Sequence, residues 1–175
     1  MVSHLPLLNI EKIPYDQKPI QDCKSIIFTS ANAIKFLEVK KINKNIKCFC
    51  VGLATEKKAK SVGFQNIISA DGNVRNLKEL ILQNCNPTDQ NIVYVSGEII
   101  SSDLDKQLIK EGYSVKRIIN YKTNHNKNFD DKFVKNLKIN IPHIVYIYSY
   151  NYKINKIVWA KNYKIPFSGN LKVSD

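Results

Sequence analysis

The stretch Ser25-Ile26-Ile27-Phe28-Thr29-Ser30-Ala31-Asn32-Ala33 decides the fold class. A continuous apolar run, as in Ile26-Ile27-Phe28, is what a strand covered on both faces carries. Ser30 is a preferred helix cap. Behind it Ala33, Phe36 and Leu37 recur at helical spacing. The same grammar repeats downstream. Lys47-Cys48-Phe49-Cys50-Val51 reads as a second strand and Gly52 as its turn. Thr55 reads as the cap of a helix that carries Ala59 and Val62 and closes at Gly63. Asn66-Ile67-Ile68 reads as a short third strand. A helix from about Asn73 to Gln83 places Leu77, Leu80 and Ile81 on one face. After the loop Pro87-Thr88-Asp89, Asn91-Ile92-Val93-Tyr94-Val95 is a fourth strand with Ser96-Gly97 as its turn. A helix from about Ser101 carries Leu104 and Leu108 to a stop at Gly112, and Val115-Lys116-Arg117-Ile118-Ile119 is a fifth strand.

Strands alternating with helices in this way predict a parallel sheet with right-handed crossovers. The expected fold class is α/β: a doubly wound, parallel, five-stranded sheet, flavodoxin-like, over residues 22–122. Residues 1–21 read as a connector strand and linker in which Pro14 and Pro19 break regular structure. Residues 123–128, polar through Asn124-His125-Asn126-Lys127-Asn128, read as a second linker. Residues 129–175 read as an incomplete second α/β lobe, with a strand at His143–Tyr148 and a helical stretch through Ile154, Ile157 and Val158. Ile147-Tyr148-Ser149-Tyr150-Asn151 echoes Ile27–Asn32 as apolar strand, Ser, any residue, Asn. Shared ancestry of two lobes and plain capping chemistry both account for that echo.

With 175 residues the chain can core one domain and part of a second. It holds no apolar run near the ~20 residues that cross a bilayer, and Met1–Pro6 lacks the segments of a secretion signal. A soluble cytoplasmic protein without membrane association is expected. Cys23, Cys48, Cys50 and Cys85 read as buried reduced thiols. Cys48 and Cys50 share a strand face without further ligands nearby, so no metal is expected. The net charge of +12 invites a nucleic-acid reading. Yet of 27 basic residues only Arg75 and Arg117 are arginine, and the lysines are scattered. A Lys, Asn and Ile excess is what an AT-rich coding sequence produces unaided. Solvated surface, with some attraction for an anionic substrate, is preferred over nucleic-acid binding.

Ligands of open parallel sheets bind beyond the carboxyl ends of the strands. Small polar turns stand at such ends: Thr29-Ser30-Ala31-Asn32, Gly52-Leu53-Ala54-Thr55 and Ser96-Gly97-Glu98. Free N–H groups and the helix dipole there favour carboxylate or phosphate. Simple capping is the alternative at each. His4, His125 and His143 pair with no nucleophile, and neither a phosphate-binding loop nor a dinucleotide fingerprint is present. What remains is chemistry by positioning, hydrogen bonds and a phenol.

These segments resemble those of the uroporphyrinogen-III synthases. Ile26-Ile27-Phe28-Thr29-Ser30-Ala31-Asn32-Ala33-Ile34 is similar to the family's "IFTSANAV". Val51-Gly52-Leu53-Ala54-Thr55 with Ser61-Val62-Gly63-Phe64 is similar to "VGxATAxxLxxxGF". Ala70–Leu77 resembles "GxAxxL", Tyr94-Val95-Ser96-Gly97-Glu98 resembles "YLRGE", and Ile119-Asn120-Tyr121-Lys122-Thr123 resembles "VYxT". Leu5-Pro6-Leu7-Leu8-Asn9-Ile10-Glu11 resembles the connector "LPLLEIEP". Order and spacing agree over residues 5–123.

The resemblance implies a bilobed lyase of tetrapyrrole (porphyrin, haem) biosynthesis that needs no cofactor. Such an enzyme closes hydroxymethylbilane, with its eight carboxylates, into uroporphyrinogen III. It inverts the last ring and releases water. The resemblance places Tyr121 where a family tyrosine is proposed to assist departure of the hydroxyl; packing at the connector is the plain alternative. Substrate contacts are implied at Thr29, Ser30, Ala31, Asn32, Gly52, Thr55, Ser96 and Gly97, and at Ser149 in the second lobe. The chain departs from the family in three ways. Met1 lies almost at the connector, the second lobe is short, and Ser96 stands where the family carries Arg. The competing expectations are an active synthase, with two chains pairing as a homodimer to complete the second lobe, an inactive remnant of the family, and a basic nucleic-acid-binding module.

Overall fold

The computed structural model describes residues 8–88 and 91–125, with Lys135 and Ile139 beyond them. The chain divides into two compact units, residues 1–128 and 129–175. The expectations for the strand at His143, for Ser149 and for the helical stretch behind it lie outside the described residues, as do Leu5-Pro6-Leu7 and Asp89.

The described elements, in order, are β1 (Leu8–Lys12), α1 (Lys18–Gln21), β2 (Ser25–Phe28), α2 (Ala31–Lys35), β3 (Lys47–Val51), α3 (Leu53–Ser61), β4 (Ile67–Ala70), α4 (Val74–Asn84), β5 (Ile92–Gly97), α5 (Leu104–Lys110) and β6 (Val115–His125). The central strands follow from their residues. Every residue of β2 and of β5 is buried, as apolar runs between two helical layers must be. Ser30 caps α2 by accepting the Asn32 N–H at 3.2 Å. Asn73 caps α4 by accepting the N–H groups of Arg75 and Asn76. Gly63 and Gly112 follow α3 and α5 at φ +98° and +87°, the left-handed conformation that ends helices.

The sheet order is β1-β6-β5-β2-β3-β4. Two features differ from the expectation. The sheet has six strands, because β1 pairs antiparallel with β6, Leu8 opposite His125 and Lys12 opposite Tyr121. β6 runs 11 residues and takes in Asn124 and His125, which read as linker. Its polar second half concealed it. The parallel strands, numbered by their order in the chain, lie 3-2-1-4-5, whereas a flavodoxin-like sheet lies 2-1-3-4-5. An apolar helix face shows that a helix packs, but not on which side of the sheet. Here Ile20, Ala33, Ile34 and Ala59 bring α1, α2 and α3 to one face. Leu77, Ile81, Leu104 and Leu108 bring α4 and α5 to the other. The winding therefore reverses between β2 and β5, and a crevice opens at their carboxyl ends.

Smaller differences follow from local chemistry. Ser96 and Gly97 are buried strand residues rather than a turn. Thr55 lies inside α3, whose N-cap is Gly52 at φ +77°. Pro19 sits in the first turn of α1, where its missing N–H costs nothing. One bulge bears on the site. Ser96 pairs with Ile119 and Gly97 with Tyr121, so Asn120 is the extra residue. Alternation would send Ile118 and Tyr121 to opposite faces. The bulge instead returns Tyr121 to the Ile118 side of the sheet. Asn120 is fully buried and its Nδ2 donates to Ala33 O at 2.7 Å, tying β6 to α2.

Candidate functional site

The carboxyl ends of β2, β3, β4 and β5 surround an open cleft of about 470 Å³. Thr29, just past β2, and Val51, the last residue of β3, line it. Gly72, Asn73, Val74 and Arg75, which lead from β4 into α4, form one wall, and Ser101 and Ser102, before α5, form another. Gly72 takes φ +112°, so the chain turns sharply there at no steric cost. Arg75 adds an exposed guanidinium whose closest carboxylate, Glu79, stands at 3.8 Å. Hydroxyl donors and one guanidinium around a floor with an apolar part suit a carboxylate-bearing ligand. A second cavity, of about 380 Å³, opens near the opposite ends of the strands, beside Asp16, Asp22, Asn91 and Lys116. Its charges are mixed, and it lies away from the strand ends where ligands of such sheets bind.

At the winding reversal, Tyr94 of β5 and Thr29 are joined by a hydrogen bond of 2.9 Å between their hydroxyls. Tyr94 is 1% exposed. Burial pushes its phenol up from the usual range, partly offset by the Thr29 hydroxyl and by the charge of Arg117. Tyr94 is therefore a neutral hydroxyl at physiological pH. Arg117 reaches from β6 to the end of β5. Its Nε donates to Ser96 Oγ at 2.8 Å, and its Nη2 donates to the carbonyls of Gly97 and Glu98 at 2.8 and 3.0 Å. The turn after β5 is thus held by a guanidinium fork, a geometry lysine cannot copy.

The residues singled out in the sequence are distributed unevenly. Thr29 lines the cleft. The Ser30 oxygen and the Asn32 N–H are bonded to each other in the α2 cap, and Ala31 is the first residue of that helix. The Gly52 N–H donates to Ala70 O at 3.0 Å, and its carbonyl accepts from Thr55 and Glu56. Thr55 is 4% exposed. Ser96 is buried, accepting from Arg117 and donating to Gly97 O. Gly97 and Tyr121 pair across β5 and β6, and the Glu98 N–H donates to Tyr121 O at 2.9 Å. The Tyr121 and Phe36 ring centroids are 6.5 Å apart. Among the described residues no group of His, Cys, Asp and Glu could hold a metal ion, and no helix is long and apolar enough to cross a membrane.

Sequence reasoning did not single out Tyr94, Arg75 or Arg117 as site residues. For the arginines a signal existed. In a chain with 27 basic residues, Arg occurs twice. One copy lines the cleft and the other clamps the adjoining strand end. For Tyr94 there was none, because its partner lies 65 residues away.

Residues 1–164 match the family described as "HEM4: Uroporphyrinogen-III synthase HemD". No curated protein matches the chain. Among solved structures, the crystal structure of uroporphyrinogen-III synthetase from Helicobacter pylori 26695 is similar at 22% identity and a TM-score of 0.49. The match covers 71% of this chain and 57% of that one, so the chain spans a little over half of that protein's length.

Proposed function

The chain belongs to the uroporphyrinogen-III synthase family, and from that premise we propose that it cyclises hydroxymethylbilane to uroporphyrinogen III. The family match across residues 1–164 is the observation that carries this reading. The cleft supports it, because Thr29, Ser101, Ser102 and Arg75 offer donors suited to the carboxylates of such a substrate. A net charge of +12 attracts a polyanion over distance, an effect that salt weakens.

In the proposed reaction the hydroxyl at one end of the open tetrapyrrole leaves as water after accepting a proton, and the methylene of that first ring becomes cationic. The substituted carbon of the last ring, at the other end, attacks this cation. The resulting spiro centre fragments and recloses at the other position, and loss of a ring proton restores aromaticity. Tyr121 is the proposed acid that assists departure of the hydroxyl. The remaining work is positioning, since the uncatalysed closure already proceeds to the uninverted isomer. We further propose a cytoplasmic setting and the pairing of two chains as a homodimer.

The test is to supply the purified chain with hydroxymethylbilane and separate isomers III and I after oxidation. Isomer III in excess of an enzyme-free control is the expected result. Isomer I alone overturns the catalytic reading and leaves a non-catalytic family member.

A further inference from the structure

The Thr29–Tyr94 bond is made by two hydroxyls, one on a residue that lines the cleft and one almost completely buried. Either hydroxyl could donate, and their chemistry favours one direction. A phenol is a far stronger acid than an aliphatic alcohol, and its oxygen is the poorer acceptor because a lone pair is delocalised into the ring. A buried hydroxyl that fails to donate also loses a hydrogen bond it could have made in water. Tyr94 therefore donates and Thr29 accepts. With one lone pair of Thr29 Oγ1 so engaged, the Thr29 proton must point elsewhere, and the open side is the cleft that Thr29 lines.

We infer that Tyr94 is a positioning residue: it locks the Thr29 hydroxyl as a donor facing the cleft, where that hydroxyl takes a substrate carboxylate. Without the phenol the Thr29 hydroxyl would rotate freely and could spend its proton on a backbone carbonyl. With the phenol it is pre-organised to give a hydrogen bond, which selects an acceptor-only group such as a carboxylate. Tyr94 is held by its strand. β5 is buried along its whole length between β2 and β6, and the Tyr94 ring packs among Ile27, Leu104 and Leu108. The inference rests on the proposed function, since that reading supplies the carboxylates.

The experiment uses the full chain with two probes: hydroxymethylbilane for turnover and uroporphyrin III, a non-reacting octacarboxylate, for binding. Tyr94→Phe keeps the ring and removes the donor. It should raise KM for hydroxymethylbilane and weaken uroporphyrin binding by about fivefold to tenfold, the effect of one hydrogen bond, while kcat changes less. Thr29→Val should weaken binding at least as much, and Thr29→Ser should restore it. Adding Tyr94→Phe to Thr29→Val should have no further effect on binding, because Tyr94 acts through Thr29. Unchanged uroporphyrin binding by Tyr94→Phe, or full additivity in the double variant, overturns the inference and leaves the proposed function standing. Failure of the unaltered chain both to bind uroporphyrin and to form isomer III overturns the proposed function and this inference with it. Thermal melting of each variant accompanies the series. Weakened binding that follows a lowered melting temperature in the Thr29→Val background as well counts against the inference.

Discussion

Tyr121 occupies the space that a side chain on Gly97 would need. A Cβ placed on Gly97 would stand 2.7 Å from Cε2 and Cζ of the Tyr121 ring and 3.0 Å from its hydroxyl. Real contacts are never that close, so Gly97 is glycine because of the ring beside it. Gly97→Ala should therefore displace Tyr121 or the strand. The expected cost is about 1–3 kcal/mol, as for other overpacked cores, read from the urea midpoint. A Gly97→Ala, Tyr121→Leu double variant should lose less than the sum of its singles. Additive losses would show that the two residues do not press on one another.

Tyr121→Phe keeps that packing and removes only the hydroxyl. Stability should stay within about 0.5 kcal/mol of the parent. Formation of isomer III should fall, with kcat lowered at least about tenfold if the phenol assists departure of the substrate hydroxyl. Parent-like turnover would take Tyr121 out of the mechanism and leave it as packing against Gly97 and Phe36.

Asn120 holds the bulge to the helix behind the Thr29 turn. Its Nδ2 donates to Ala33 O, while its own Oδ1 is buried without a partner among the described residues. Asn120→Ala removes the donor and strands the Ala33 carbonyl. The expected loss is about 1–3 kcal/mol. Hydrogen exchange gives a more local readout: amides of α2 should exchange faster than those of α4, which Asn120 does not touch. Uniform acceleration across both helices would mean a global effect instead.

Alkaline pH should loosen this unit through its thiols. Cys23, Cys48, Cys50 and Cys85 are all buried and form no disulfide. Burial pushes the Cys23 thiol from 9.0 up to about 11. Cys48 is pushed up as well, first by its hydrogen bond with Cys50 and then by burial. Between pH 9 and 11 the unfolded chain loses a proton that folded Cys23 keeps. Stability is thus fully present below pH 9 and falls as pH rises toward 11, by on the order of 2–3 kcal/mol for Cys23. Urea midpoints at pH 8 and pH 10.5 should show the drop, and Cys23→Ala should flatten part of it. A thiol reagent should label none of the four cysteines before unfolding.

What could be read from the sequence was what local pattern encodes. β2 and β5 announced themselves because both faces are covered, and Ser30 announced α2 by capping. Thr29 was legible as a cleft-lining residue because a strand, a small polar turn and a helix follow one another there. Three features had no local signature. The side on which α3 packs depends on the sheet rather than on α3, so the strand order was missed. β6 lies one place from the sheet edge, so its second half could be polar and still be strand. The bulge at Asn120 adds one residue that resembles any other, and only the pairing of Ser96 with Ile119 and Gly97 with Tyr121 reveals it. The contacts of Tyr94 and Arg117 depend likewise on cross-strand register, of β5 with β2 and with β6 respectively, which joins residues far apart in the chain.

The pairing of β1 with β6 also has a mechanical meaning. Leu8 pairs with His125, so the start of β1 and the end of β6 are neighbouring points. Tension applied at those points would open the antiparallel pair like a zip, one rung at a time, from Leu8–His125 toward Lys12–Tyr121. The central strands would feel no load until those rungs had parted. Under such tension β1 would act as a fuse, parting before the buried sheet and passing the first strain inward to Tyr121.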